Sequence, residues 1–189
     1  NKVEWGTAAN NQWVSLYYIA ALNASGPGTD SLTDTPTNYG DDTGLGGEVR
    51  GNYATLNPLD KYSGFVLSNG NLEGTWSGGG WSSCRATLGM TSGKWYWENT
   101  ILSGADGLMG ITTKDAALDT YIGGDAYGWS YGNGGSKYHN AGGSTYGAAF
   151  GNDTIGVAFD ADNGTLSFYK NGVSQGIAFT GLTGATYFP

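Results

Sequence analysis

Cysteine is almost absent from this chain. Cys84 is the single one among 189 residues, and His139 is the single histidine. An internal disulfide is therefore excluded, and the Cys/His sets that build structural zinc sites cannot be assembled. Charge is scarce as well, at 13% of residues, and it is unbalanced: 8 Lys plus Arg against 16 Asp plus Glu leave a net charge of -8. Such a field repels phosphate backbones and anionic headgroups, so neither nucleic acid nor membrane insertion is expected. No run of about 20 apolar residues and no cationic start before an apolar stretch occurs, so no span and no intact signal peptide is expected. Helix-compatible windows are also rare, because 35 residues are glycine, each costing about 1 kcal/mol relative to alanine inside a helix.

What is abundant is aromatic: 7 Trp, 13 Tyr and 6 Phe, too many rings for a chain that stays unfolded. From about residue 64 these rings fall in short runs separated by glycine or Asn-Gly: GFVLSN, CRATLGM, KWYWENTIL, GLMGITT, AYGWSYG, TIGVAFDA, TLSFYK and GIAFTG. In TIGVAFD, Ile155, Val157 and Phe159 share one face, and in TLSFYK so do Leu166 and Phe168, the period-two pattern of half-buried strands. Asn163-Gly164 and Asn171-Gly172 suit the positive φ angles of tight hairpins. Residues 154–180 thus read as a three-stranded antiparallel meander, and the fold as all-β, a sandwich or barrel. Residues 1–63 have another texture, rich in turn formers and holding three of the four prolines, and read as an extended N-terminal arm. Within it WVSLYYIAAL (13–22) fits a strand or a short helix equally.

Three motifs suggest chemistry and none has its context. Gly128-Trp129-Ser130-Tyr131-Gly132 spells G-x-S-x-G, but a nucleophile elbow needs a strand, a sharp turn and a helix, followed by an acid and a histidine. Here the rings alternate as in a strand, glycines follow, and no acid lies between Ser130 and His139. Asp160-Ala-Asp-Asn-Gly164 opens like a calcium loop, yet Asn171 stands where the closing glutamate is required. Glu4, Glu48, Glu73 and Glu98 are widely separated, so a carboxylate pair for glycoside cleavage would have to be assembled by the fold. Catalytic residues, metal and cofactor are expected to be none.

The blocks SGKWYWENTI (92–101), GLMGI (107–111), YGWSYGNGGSKYHNAG (127–142) and NDTIGVAFDADNGTLSFYKNGVSQGIAFTGL (152–182), in that order, resemble the SPRY domain family. The resemblance implies a two-sheet antiparallel β-sandwich of the concanavalin-like jelly-roll kind over residues 64–189, without catalytic residues, binding peptides, proteins or other ligands through loops at one edge. Such domains continue past a Tyr-Phe-Pro-like motif, here Tyr187 to Pro189, so the sandwich is expected to lack its last strand. The lead-in from residue 30 to 75 is similar to segments accompanying SPRY-like domains in structural and tail proteins of bacteriophages. That likeness implies a non-enzymatic virion surface component of tail-fibre or capsid-fibre type, made in the host cytoplasm. Its partners would be other virion subunits, in a homo-oligomer such as a trimer, and a host surface glycan or protein. The alternatives are a purely structural assembly or decoration subunit and a carbohydrate-active sandwich enzyme.

The ligand-binding residues expected from the sequence lie on the glycine-rich connections 123–128 and 133–147. Asp125, Tyr138, His139 and Asn140 combine stacking rings with donors and acceptors, a set suited to polar ligands. Trp95, Trp97 and Trp129 are expected in the core instead.

Overall fold

The computed structural model describes residues 54–103 and 107–189. Residues 1–53, most of the expected arm and all of the 13–22 run, lie outside the described residues. Every regular element among the described residues is a β-strand: β1 Leu56–Lys61, β2 Val66–Ser68, β3 Glu73–Thr75, β4 Cys84–Ala86, β5 Lys94–Thr100, β6 Leu108–Thr112, β7 Gly128–Gly132, β8 Ser136–His139, β9 Gly142–Thr145, β10 Thr154–Asp160, β11 Thr165–Lys170 and β12 Val173–Phe179. They form two antiparallel four-stranded sheets, ordered β12-β11-β10-β5 and β6-β7-β8-β9, with two ribbons, β1-β4 and β2-β3.

The alternating pattern explains which faces meet. Val157 lies opposite Trp97 and Phe168, and Phe159 opposite Trp95 and Leu166, so one face of this sheet is a continuous apolar layer. Ile111 on β6 and Tyr131 on β7 cover it from the second sheet, and all of these except the partly buried Trp95 are enclosed. Tyr131 packs against Phe168 at 5.4 Å and Phe150 at 4.8 Å between ring centroids. Trp129 packs at the margin of this core. Each enclosed ring removes on the order of 150–250 Å² from water, which is how a disulfide-free chain holds together.

The meander 154–180 forms, with both positive φ angles at Asn171-Gly172 but, at Asn163-Gly164, only at Gly164, with φ of 63°. Asn171 and Gly172 have φ of 48° and 79° and close the β11–β12 hairpin, where Lys170 pairs with Val173. Two short strands lie where the sequence suggests a loop over residues 136–145: Asn140 and Ala141, with φ of 51° and 59°, turn β8 back onto β9. Upstream, β1 carries Pro58 yet pairs with β4, as an edge strand tolerates. It begins at Leu56, within the segment assigned to the arm. At the C-terminal end, Tyr187 exchanges backbone hydrogen bonds with Met90, Phe188 with Thr112, and the Pro189 carbonyl accepts from the Ala86 amide.

Candidate functional site

The G-x-S-x-G serine lies inside strand β7, fully enclosed, with its hydroxyl donating to the Ile122 carbonyl. That bond belongs to a larger arrangement. Residues 113–127 connect β6 to β7 as a long loop, and backbone bonds pin it on every side. Thr113 donates to the Tyr127 carbonyl at 2.8 Å, closing the loop's base; Gly124 donates to Tyr121 at 2.8 Å, and Ser83 donates to Leu118 at 2.9 Å. Ser83 Oγ donates to the Thr120 carbonyl at 2.6 Å.

Arg85, on β4, anchors the same loop from below. Its guanidinium is buried and donates to the carbonyls of Thr113, Lys114 and Ala116, to Thr112 Oγ1, and to Asp60 at 2.7 Å. A buried cation is tolerated only with such full pairing, and here the pairing holds the loop in one shape.

Asp125 is placed within this framework. Its carboxylate accepts from the amides of Ala117 and Tyr127, each at 2.8 Å, and its carbonyl accepts from the Asn140 amide at 2.9 Å. The 113–127 loop and the β8–β9 turn are therefore one unit, with Ala141 also donating to Gly123 at 2.9 Å. His139 stacks on Trp129, with centroids 4.7 Å apart and planes 10° apart. Its Nδ1 lies 2.9 Å from the Gly128 carbonyl, so that nitrogen carries the donated hydrogen. Asn140 is exposed at the turn.

Tyr138 sits on a bed of glycines. A Cβ at Gly132 on β7 or Gly143 on β9 would stand 2.8 Å from its ring, so the neighbouring strands leave room for it. Its other side meets Tyr121, at 5.8 Å and 76°, and Tyr121 in turn meets Trp81, at 5.6 Å and 61°. Trp81, between β3 and β4, is 42% exposed, and Tyr127, on the 113–127 loop, 48%. The Trp81 Nε1 and the Tyr121 and Tyr138 hydroxyls have no hydrogen-bond partner among the described residues. Beside Trp81 the enclosed Ser82 hydroxyl also lacks one.

The structure thus gathers the four expected residues about the β8–β9 turn and adds Trp81 and Tyr121. The sequence offered only faint signals for these two: a tryptophan after three glycines, and a tyrosine just ahead of the GGDAYG connection. Among the described residues no three of His, Cys, Asp and Glu come together as a metal-binding group. Cys84 lies on β4, where burial pushes its thiol up to about 11.

Two packed antiparallel sheets with a pinned, aromatic loop face define a β-sandwich. The SPRY domain model matches residues 94–189, and the chain belongs to that family. It is 36% identical over 126 residues to ATP-dependent RNA helicase DDX1 of Xenopus laevis, covering 66% of this chain and 17% of the helicase. The Drosophila melanogaster protein of the same name is 38% identical over 114 residues, covering 58% of this chain and 15% of its own length. A probable ATP-dependent RNA helicase ddx1 of Dictyostelium discoideum is 37% identical over 101 residues, 53% of this chain and 13% of that one. The chain therefore spans less than a fifth of the length of these relatives. The crystal structure of the TRIM65 PSpry domain superposes with a TM-score of 0.57 at 18% identity, over 71% of this chain and 81% of that domain, which shows the shared fold.

These relatives overturn the virion reading. They are cellular helicases of eukaryotes, so a tail-fibre or capsid-fibre component on a virion surface is not what the chain resembles. The virion subunits, the trimer and the host surface glycan or protein fall with it as partners. The phage likeness rested on the lead-in 30–75, which is mostly turn-forming residues, a composition set by local backbone geometry and shared by unrelated chains. The blocks within 94–189 instead carry strand register and core packing, which are far more specific.

Proposed function

We propose that this chain is a non-catalytic protein-recognition module, a SPRY domain of the kind found in the helicases it resembles, which docks a protein partner through the Trp81–Tyr121–Tyr138 face. One observation carries this reading: a row of partly exposed rings whose polar tips have no partner among the described residues, centred on Tyr121 of a loop whose backbone is pinned by Arg85, Ser83 and Asp125. Rings with an apolar body and a polar end are favoured at protein interfaces, and a pre-shaped loop loses little entropy on binding. Asp125 and His139 hold the face in place, Tyr138 ends its row of rings, and Asn140 lies at its margin. The enclosed Ser130 and the stacked His139 support the absence of hydrolase chemistry.

The test is to pan a random-peptide library against the 189-residue chain and map an enriched peptide by backbone amide shifts. Shifts concentrated at residues 117–127 and 138–141 are expected. Shifts confined to β11 and β12, or an absence of enriched peptides, overturn the reading.

A further inference from the structure

Resting on that reading, we infer that the aromatic face takes an extended segment bearing arginine or lysine, with Asp119 supplying the counter-charge. Every lysine and arginine among the described residues is tied to the protein itself. Arg85 pairs with Asp60, Lys94 with Asp160, Lys114 with Asp115 and Lys170 with Asp153. Lys61 donates to the Phe65 carbonyl and Lys137 to that of Ala178.

Acids are left over. Asp119 is exposed, two residues before Tyr121 in the chain, and has no hydrogen-bond or ion-pair partner among the described residues. The Asp125 carboxylate accepts from the amides of Ala117 and Tyr127 and has no paired cation among the described residues. The single cation of the 113–127 loop, Lys114, is neutralised by Asp115 at 2.5 Å. The 113–127 loop therefore carries three aspartates against one lysine, within a chain of net charge -8.

Aromatic rings and an unpaired carboxylate together select a cation. The ring faces of Trp81 and Tyr121 attract a guanidinium or ammonium group within about 6 Å. An exposed carboxylate on the same loop, two residues before Tyr121 in the chain, offers a partner to such a group, bidentate if it is arginine. The free Trp81 Nε1 and tyrosine hydroxyls are available to the carbonyls of an extended backbone. The same rings would stack nucleobases, but single-stranded nucleic acid also requires a positive groove for its phosphates. The committed cations and the free Asp119 argue for a basic peptide over RNA.

Fluorescence anisotropy on the full chain separates these possibilities, using a labelled alternating Gly/Arg peptide, the matching Gly/Glu peptide and an oligouridine RNA. We expect saturable binding of the Gly/Arg peptide alone, weakened by salt. Asp119→Asn, Trp81→Ala and Tyr121→Phe or Tyr121→Ala test the face. The charge change and the loss of either ring should each weaken binding about three- to tenfold, with Tyr121→Phe milder than Tyr121→Ala. Glu73→Gln, on the β2–β3 ribbon and outside the 113–127 loop, makes the same charge change and should leave binding within about twofold. Asp119 and Trp81 are exposed, so unchanged thermal melting certifies the fold of those variants. Equal binding of the Gly/Glu peptide, an equal effect of Glu73→Gln, or tighter binding of RNA overturns the inference. Neutral peptides that still map to residues 117–127 and 138–141 end the charge selectivity but leave the recognition reading standing. Shifts elsewhere end both.

Discussion

Trp129 and His139 face each other across the β7–β8 ladder and stack, their planes 10° apart. This pair, beneath the β8–β9 turn, converts two residues from the middle of a catalytic-looking motif into part of the scaffold. His139→Phe should retain the stack and lose only the bond to the Gly128 carbonyl, whereas His139→Ala loses both. We expect a stability difference between these variants of about 0.5–1.5 kcal/mol, read from urea denaturation midpoints.

Arg85 carries a second prediction. Removing the guanidinium leaves the carbonyls of Lys114 and Ala116 without their donor and that of Thr113 with only the Ala116 amide, so Arg85→Met should cost about 3–5 kcal/mol. Asp60, with its side chain 36% exposed, supplies only the outer partner. Asp60→Asn should cost about 1 kcal/mol or less. Equal losses from the two variants, measured by chemical denaturation, would show that the ion pair rather than the loop anchoring matters.

Two glycines of the same residue type should respond oppositely. A Cβ at Gly110 would stand 1.9 Å from the Trp129 carbonyl oxygen and 2.8 Å from Ser130 Cα, both backbone atoms of the paired strand. Gly110→Ala should therefore prevent folding of the β6–β7 pair. At Gly79 a Cβ meets nothing within 4 Å, and Gly79→Ala should be neutral or stabilise by up to about 1 kcal/mol by restricting the unfolded chain. Thermal melts of both proteins check this.

The pH dependence should follow Asp160. Burial raises its carboxyl, but the Asn163 side chain and amide and the nearby Lys94 outweigh burial and hold it below the ordinary value of 3.8. A carboxylate with a depressed folded pKa binds fewer protons in the folded than in the unfolded state. Its contribution is complete above the unfolded value and is lost as pH falls through the folded one. Urea midpoints should therefore drop on acidification below about pH 4, and Asp160→Asn should flatten that acid limb while lowering stability at neutral pH. An unaltered acid limb in the variant refutes the assignment.

Cys84 provides a chemical probe of folding. With its thiol pushed up to about 11 by burial, it should react slowly with a disulfide reagent at neutral pH in the folded chain and rapidly in urea. Fast native labelling would place the thiol in solvent.

The strands legible from residue order were those whose side chains alternate. Ile155, Val157 and Phe159 announced β10, and Asn171-Gly172 announced the turn after β11, because period and turn chemistry are local. Strand β9 was not legible: Gly142 and Gly143 have no side chains to alternate, and the strand exists because Asn140 and Ala141 adopt positive φ and fold it onto β8. Strand β1 was hidden by Pro58, which only an edge position excuses.

The same division runs through the candidate site. Asp125, Tyr138, His139 and Asn140 drew attention as polar and aromatic residues in glycine-rich surroundings, but composition could not say which are engaged internally. The sequence alone determined an all-β chain with buried rings, turns at Asn-Gly, no disulfide and an acidic surface, since these follow from residue type and short-range spacing. Only the tertiary structure decided that Trp81, Tyr121 and Tyr138 form one row while His139 and Asp125 serve as supports. Those contacts join segments far apart in the chain, and they are set by the closure of the two sheets and by the hydrogen bonds of Arg85 and Ser83.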